Sequence, residues 1–266
     1  MIKRPKKAVV LLSGGMDSAT TLAIAKSSGF RCFALTFRYG QKHAIEIKSA
    51  KKIAKFIGAV HPVRDKVSKM PDGRHRRPVS NGIQHKIIDI DPSAFSGSAL
   101  TDKSIKVPLN RKIDPFRIPI TYVPARNTIF LSYALAMAES IGAFDIFIGV
   151  NATDYSGYPD CRPQYIKAFE KLANLATVAA VQKTRRGKGR SRSRKDRYKI
   201  HTPIIKMTKA QIVKTGSRLG VDYAMTHSCY NPDKSGKPCG RCDSCQLRLK
   251  GFAEAGFNDP LKYAKR

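Results

Sequence analysis

Residues 8–18 read Ala8-Val9-Val10-Leu11-Leu12-Ser13-Gly14-Gly15-Met16-Asp17-Ser18, and this stretch decides the fold. Five apolar residues in a row have the length and composition of a strand buried on both faces, as in a parallel sheet. Two adjacent glycines then let the backbone take positive φ and approach a ligand closely. A helix is predicted from Asp17 to Ser28, and its first amides, at the positive end of the helix dipole, suit a phosphate. Ser13 and Ser18 can add hydroxyl donors to this anion nest, and Asp17 can cap the helix or approach a bound Mg²⁺.

Working outward, the same alternation recurs. Phe30 to Phe37 reads as a second strand, and Ile47, Ala50, Ala54 and Ile57 mark a helix from about His43 to Ile57. Residues 126–141 make an apolar helix, Phe144 to Val150 a buried strand, and Arg162 to Ala180 a helix that Pro163 can open. The predicted class is therefore α/β, a doubly wound, mostly parallel sheet. Residues 64–92, rich in Pro, Gly and charge, read as a long loop or insertion. We place a main domain at 1–222 and a small C-terminal segment at 223–266.

The chain has 266 residues, 42% of them hydrophobic, which excludes a disordered tail protein. Fifty Lys and Arg against nineteen Asp and Glu give +31. Residues 183–199 (KTRRGKGRSRSRKDRYK) concentrate ten basic residues against one acid. Such a run is either a solvated arm or a nonspecific nucleic-acid contact. No apolar run approaches the roughly 18 residues of a membrane span, and Ala8 to Leu12 is too short for a signal-peptide core, so a cytoplasmic protein is expected.

Four of the six cysteines, Cys229, Cys239, Cys242 and Cys245, are spaced C-x₉-C-x₂-C-x₂-C. Four thiolates this close can enclose one tetrahedral Zn²⁺ and leave no open position, which points to a structural site, with an iron–sulfur cluster as the alternative. Three further segments are too polar for their apolar settings: residues 39–43, residues 123–127 and residues 149–163. All follow strands or open a buried helix, where a doubly wound sheet displays its ligand site. Taken singly, each is also ordinary turn chemistry.

The Walker pattern GxxxxGK[ST] is absent, whereas SGGMDS resembles the PP-loop of the N-type ATP pyrophosphatases, whose fold is adenine-nucleotide α-hydrolase-like. That resemblance implies attack on the α-phosphorus with release of pyrophosphate. The ordered set SGGMDS, TFRYGQKH, PARNTIFLS, GVNATDYSGYPDCRP, AFEKLANLAT, TPIIKMTKAQIV and HSCYNP…CGRCDSCQLR is similar to the 7-cyano-7-deazaguanine synthases of the queuosine pathway over most of the chain. The stretches near 64–92 and 183–199 depart from a compact member of that family. The resemblance implies Zn²⁺ on the four cysteines and an ATP site over Leu11, Leu12, Ser13, Gly14, Gly15, Met16, Asp17, Ser18, Ala19, Thr20 and Thr21. It also implies a homodimer and a ligase that joins ammonia to 7-carboxy-7-deazaguanine at the expense of ATP. On chemical grounds Asp17 and Ser18 are the expected catalytic residues, and Arg126 and His43 belong on the phosphate side. Asn151, Asp154, Asp160 and Arg162 are candidates for base and carboxylate recognition, because a carboxylate accepts paired N–H groups and Arg pairs with a carboxylate. A PP-loop tRNA-modifying enzyme of thiolase or lysidine-synthetase type, binding RNA through the basic arm, is the competing reading. A zinc-bearing nucleic-acid binder that keeps an inactive ATPase fold is another.

Overall fold

The computed structural model describes residues 5–41, 45–60, 82–112, 114, 117–153, 157–181 and 197–265. The 8–12 run forms the central strand. β1 (Lys7–Leu11) pairs in parallel with β2 (Arg31–Arg38) on one side and with β4 (Asp145–Phe147) on the other, so Val9 lies between Phe33 and Ile146. β3 (Gln84–Asp89) and β5 (Lys199–His201) are the outer strands, giving the order β3-β2-β1-β4-β5 with every pair parallel.

Alternation along β1 sorts the helices into two layers. Ala8, Val10 and Leu12 face α1 (Met16–Ser27), α2 (Ile45–Val60), α6 (Lys209–Arg218) and α7 (Asp243–Ala255), where Leu22, Ile53, Ile212 and Phe252 complete one core. Val9 and Leu11 face α3 (Arg126–Ile141) and α4 (Pro163–Ala173), whose Leu131, Leu135, Ile166 and Phe169 fill the other. Burial on both faces explains the uninterrupted apolar run of a central parallel strand. The doubly wound α/β class is as expected. After β1 the chain winds outward through β2 and β3, then returns to β4 on the opposite flank, so the connections diverge beyond the carboxyl ends of β1 and β4. Such a switch point is where open α/β sheets place ligands.

Some expectations change. Residues 84–89, inside the stretch read as a loop, form the edge strand β3, with alternating half-burial in place of a buried run. The helix expected over 162–180 stops at Ala173 and resumes only as α5 (Val178–Val181). Asn174 ends it: its amide donates to Glu170 O at 2.9 Å and to Tyr198 O at 2.8 Å, while its Oδ1 accepts from Tyr198 N at 3.0 Å. The strand expected over 144–150 is confined to three residues. Phe252 and Ala255 of the C-terminal segment pack into the first core, and Cys229, Cys242 and Cys245 make a small cluster of their own. Residues 64–81 and 183–196 lie outside the described residues. Among those described, no helix is long and apolar enough to cross a membrane.

Candidate active site

Gly14 has φ +91°, and a Cβ there would stand 2.2 Å from the carbonyl oxygen of Glu46, so only glycine fits the turn. The turn folds over its own hydroxyls. Ser18 Oγ accepts from Ser13 N at 3.2 Å and donates to Gly15 O at 3.0 Å, and Ser13 Oγ lies 3.0 Å from it. Gly15 is the N-cap of α1 and supplies no side-chain cap, which leaves the helix start open to an external anion. Gly149, at the end of β4, lets α1 approach: a Cβ there would meet Asp17 and Ser18 backbone at 3.1 Å.

A cavity of about 260 Å³ opens at this switch point, lined by Leu11 through Ser13 and Gly15 through Ser18 from the loop and by Ile148 through Asn151 from the β4 side. Of the expected nucleotide residues, Gly14 sits behind this wall, and Ala19, Thr20 and Thr21 are buried in α1. Thr20 Oγ1 is bonded to Met16 O at 2.9 Å and lies 2.7 Å from the Tyr223 hydroxyl, which serves packing. Asp17 Oδ2 accepts from Lys209 Nζ at 2.6 Å. Its Oδ1 is buried without a hydrogen-bond partner among the described residues. A buried carboxylate oxygen left open beside the phosphate loop is the donor a hard cation such as Mg²⁺ would take.

Arg126 enters from the far side. Ala125, just ahead of α3, adopts the left-handed φ of +51°, a conformation that costs a non-glycine residue, and this turn delivers Arg126 to the cavity. There its guanidinium donates to the Tyr39 hydroxyl at 3.4 Å. Glu46, from the first turn of α2, lines the same space. Phe37 stacks on Phe130 with centroids 4.1 Å apart, making an apolar wall beside these polar groups.

The expected substrate residues divide. Asn151 lines the cavity, but its amide donates to Ile204 O at 3.0 Å and to Met207 O at 2.6 Å, tying β4 to the segment that precedes α6. Asp160 is not in the cavity wall. It is buried and accepts from Asn127 N at 3.0 Å, capping α3 one residue past Arg126. Arg162 is also outside the wall, exposed at the N-cap of α4. In this fold Asp160 supports the Arg126 turn, and Arg162 stands at the start of a helix. His43 and Asp154 lie outside the described residues. Sequence reasoning missed Lys209 and Glu46. Lys209 reads as one more basic residue of a capped helix, and Glu46 as an acid favouring a helix start; only the fold carries them to the glycine loop.

The C-terminal segment forms another wall. His227 N donates to Gly14 O at 2.9 Å and Met16 N to Ser228 Oγ at 3.4 Å, so the residues ahead of Cys229 hold the loop directly. Tyr230, Asp243, Ser244 and Leu247 also line the cavity. Behind them the four Sγ atoms of Cys229, Cys239, Cys242 and Cys245 lie within 4.8 Å of one another, with Cys239 Sγ 4.0 Å from Cys245 Sγ. A tetrahedron of ~2.3 Å metal–sulfur bonds has edges of ~3.8 Å, so the four sulfurs close around an ion with little movement. Backbone amides of Tyr230, Asn231, Cys239, Arg241 and Cys242 donate to these sulfurs at 3.2–3.4 Å, the outer support that thiolate ligands use. The other two cysteines differ: burial pushes Cys32 and Cys161 up to about 12, which keeps them as neutral thiols and poor sulfur nucleophiles.

Residues 7–256 match the family model described as Queuosine biosynthesis protein QueC. The chain belongs to the QueC family. Its relatives include the 7-cyano-7-deazaguanine synthase of Paramagnetospirillum magneticum, 56% identical over 262 residues, or 97% of this chain and 99% of that one. The synthase of the same name from Syntrophotalea carbinolica is 53% identical over 260 residues, covering 98% and 97%. That of Methylococcus capsulatus is 52% identical over 258 residues, covering 97% and 99%. The QueC match spans both the glycine loop and the four cysteines.

Proposed function

We propose that this chain is an ATP-dependent 7-cyano-7-deazaguanine synthase, a carbon–nitrogen ligase that converts 7-carboxy-7-deazaguanine and ammonia to the nitrile and releases AMP and pyrophosphate. The observation that carries this reading is the uncapped start of α1 behind Gly14, opening into a cavity that also holds Lys209 and Arg126, in a chain more than half identical to synthases of that name.

A carboxylate resists ammonia because it is anionic and hydroxide leaves poorly; transfer of AMP to its oxygen removes both obstacles. The first amides of α1 and the Lys209 ammonium hold the pyrophosphate that departs, and Ser13 and Ser18 keep the turn in the shape that receives it. Bound Mg²⁺, held by Asp17, would offset charge on the triphosphate. Arg126, expected on the phosphate side, is assigned instead to the acid, and the Phe37–Phe130 wall offers its flat base an apolar surface. Amide formation displaces AMP, and a second adenylation on the amide oxygen turns dehydration into loss of AMP, so one site acts twice. Cys229, Cys239, Cys242 and Cys245 would hold a structural Zn²⁺, which fixes the wall that carries Ser228 and Tyr230. The sequence-based expectations of a cytoplasmic location and a homodimer accompany this reading.

Incubation with labelled ATP, ammonium and 7-carboxy-7-deazaguanine tests it. The expected products are AMP, pyrophosphate, the amide and then the nitrile by mass spectrometry; ADP with orthophosphate would overturn the proposal.

A further inference from the structure

We infer that the Glu46 carboxylate is the base that removes a proton from the incoming nitrogen when the amide forms. The inference rests on the nitrile-forming reading above. Three carboxylates line the cavity: Asp17, Glu46 and Asp243. Asp17 is tied to Lys209 at 2.6 Å, and Asp243 is forked by Arg111, whose Nε lies 3.0 and 3.1 Å from its two oxygens. No hydrogen bond or ion pair among the described residues engages the Glu46 carboxylate, whereas Asp17, though one of its oxygens is open, and Asp243 are each paired with a cation, so Glu46 is the one of the three not already committed to a cationic side chain.

Its place is fixed by the loop itself. The Glu46 carbonyl occupies the space a Cβ of Gly14 would need, so the first turn of α2 is pressed against the glycine that shapes the phosphate turn. The Glu46 side chain lines the cavity that this turn and Arg126 share, where the activated acid is proposed to sit. Burial pushes the Glu46 carboxyl up to about 7, with the Arg126 guanidinium drawing it back down. At neutral pH such a group both takes and returns a proton, the property general-base catalysis needs.

The step balances as follows. The nitrogen lone pair forms the C–N bond to the acyl carbon, the bond from that carbon to the AMP oxygen breaks, and its electron pair leaves with AMP. The proton that makes the nitrogen cationic passes to Glu46 and then to solvent.

Two partial reactions of the full-length chain separate this role from others. Exchange of pyrophosphate into ATP, dependent on 7-carboxy-7-deazaguanine, reports adenylation; single-turnover amide formation on adding ammonium reports the nitrogen step. In Glu46→Gln, exchange should stay within about twofold while amide formation falls by about 10²-fold. Glu46→Asp, which restores a carboxylate, should recover about tenfold of that loss. Amide formation at the wild-type rate in Glu46→Gln overturns the assignment, as does an equal loss of both reactions, which would place Glu46 in adenylation or in holding the loop. Absence of carboxylate-dependent exchange in the wild-type chain overturns the functional reading and this assignment together.

Discussion

The glycine loop and the cysteine cluster are a few residues apart in space and are built on opposite plans. The loop is left open: α1 starts without a cap, Asp17 Oδ1 has no partner among the described residues, and Gly14 and Gly149 give up side chains to keep space. The cluster is closed, with four sulfurs facing one point and backbone amides aimed at them. Unsatisfied backbone and carboxylate groups cost stability. The two sites share a wall: Ser228 and Tyr230 flank Cys229 while Asp243 and Ser244 lie between Cys242 and Cys245, and all four line the open one.

The comparison breaks most severely at Gly14. Alanine there would force an L side chain into φ +91° and set a methyl 2.2 Å from Glu46 O, a backbone atom that cannot swing aside. Gly14→Ala should lower carboxylate-dependent pyrophosphate release by about 10³-fold, the scale of losing a preorganised anion site. Near-wild-type turnover would show that the turn is not the phosphate cradle.

Cys242→Ser attacks the closed site. Metal analysis should find the zinc lost, and the melting temperature should drop by about 10 °C, since binding energy at such a site is folding energy. Because the cluster also carries a wall of the cavity, kcat/KM of the surviving folded enzyme should fall by about tenfold. Unchanged kcat/KM at the lower melting temperature would mean that the wall stands without the metal.

Much of this was readable beforehand. The central strand, α1 and α3 follow from apolar runs and a glycine turn, and the four-cysteine spacing announces its own geometry. β3 was not, because an edge strand is buried on one side only and Gln84, His85 and Lys86 conceal it among loop-like neighbours. The break at Asn174 depends on Tyr198, 24 residues later, and the Lys209–Asp17 pair spans 192 residues. Local pattern carries no signal for such meetings; only the assembled fold brings them about.

Arg248 sharpens the comparison by loosening the C-terminal segment away from both sites. It is 2% exposed, forks Asp259 at 2.7 and 2.9 Å, and donates to Thr226 Oγ1 at 2.6 Å. Arg248→Met leaves a buried carboxylate without its partner, at a cost of about 3–5 kcal/mol, or about 10 °C in melting temperature, with zinc content unchanged. Burial alone would raise the Asp259 carboxyl, but the Arg248 guanidinium, helped by the Tyr263 hydroxyl and Leu261 N–H, holds it below the usual carboxylate range. Its stabilising contribution is therefore complete above the unfolded carboxyl value of about 3.9 and is lost as pH falls through the lower folded value. In the variant the acid-unfolding midpoint should move to higher pH; an unmoved midpoint would assign the acid transition to other carboxylates.

The smallest effect should come from Arg162, which chemistry recommends as a partner for the substrate carboxylate. In the fold its backbone is the N-cap of α4, with φ −74° and ψ 145°, its amide meets Pro159 O at 3.5 Å, and its side chain is exposed outside the cavity wall. None of this requires a guanidinium, because an extended N-cap backbone followed by Pro163 starts a helix by itself. Arg126, inside the cavity, already supplies a cation there. Arg162→Ala should therefore leave KM for 7-carboxy-7-deazaguanine within about twofold, as substitutions away from buried contacts usually do. A tenfold rise in KM with unchanged melting temperature would mean that this arginine swings over the substrate, and the open site would then extend beyond the switch point to the start of α4.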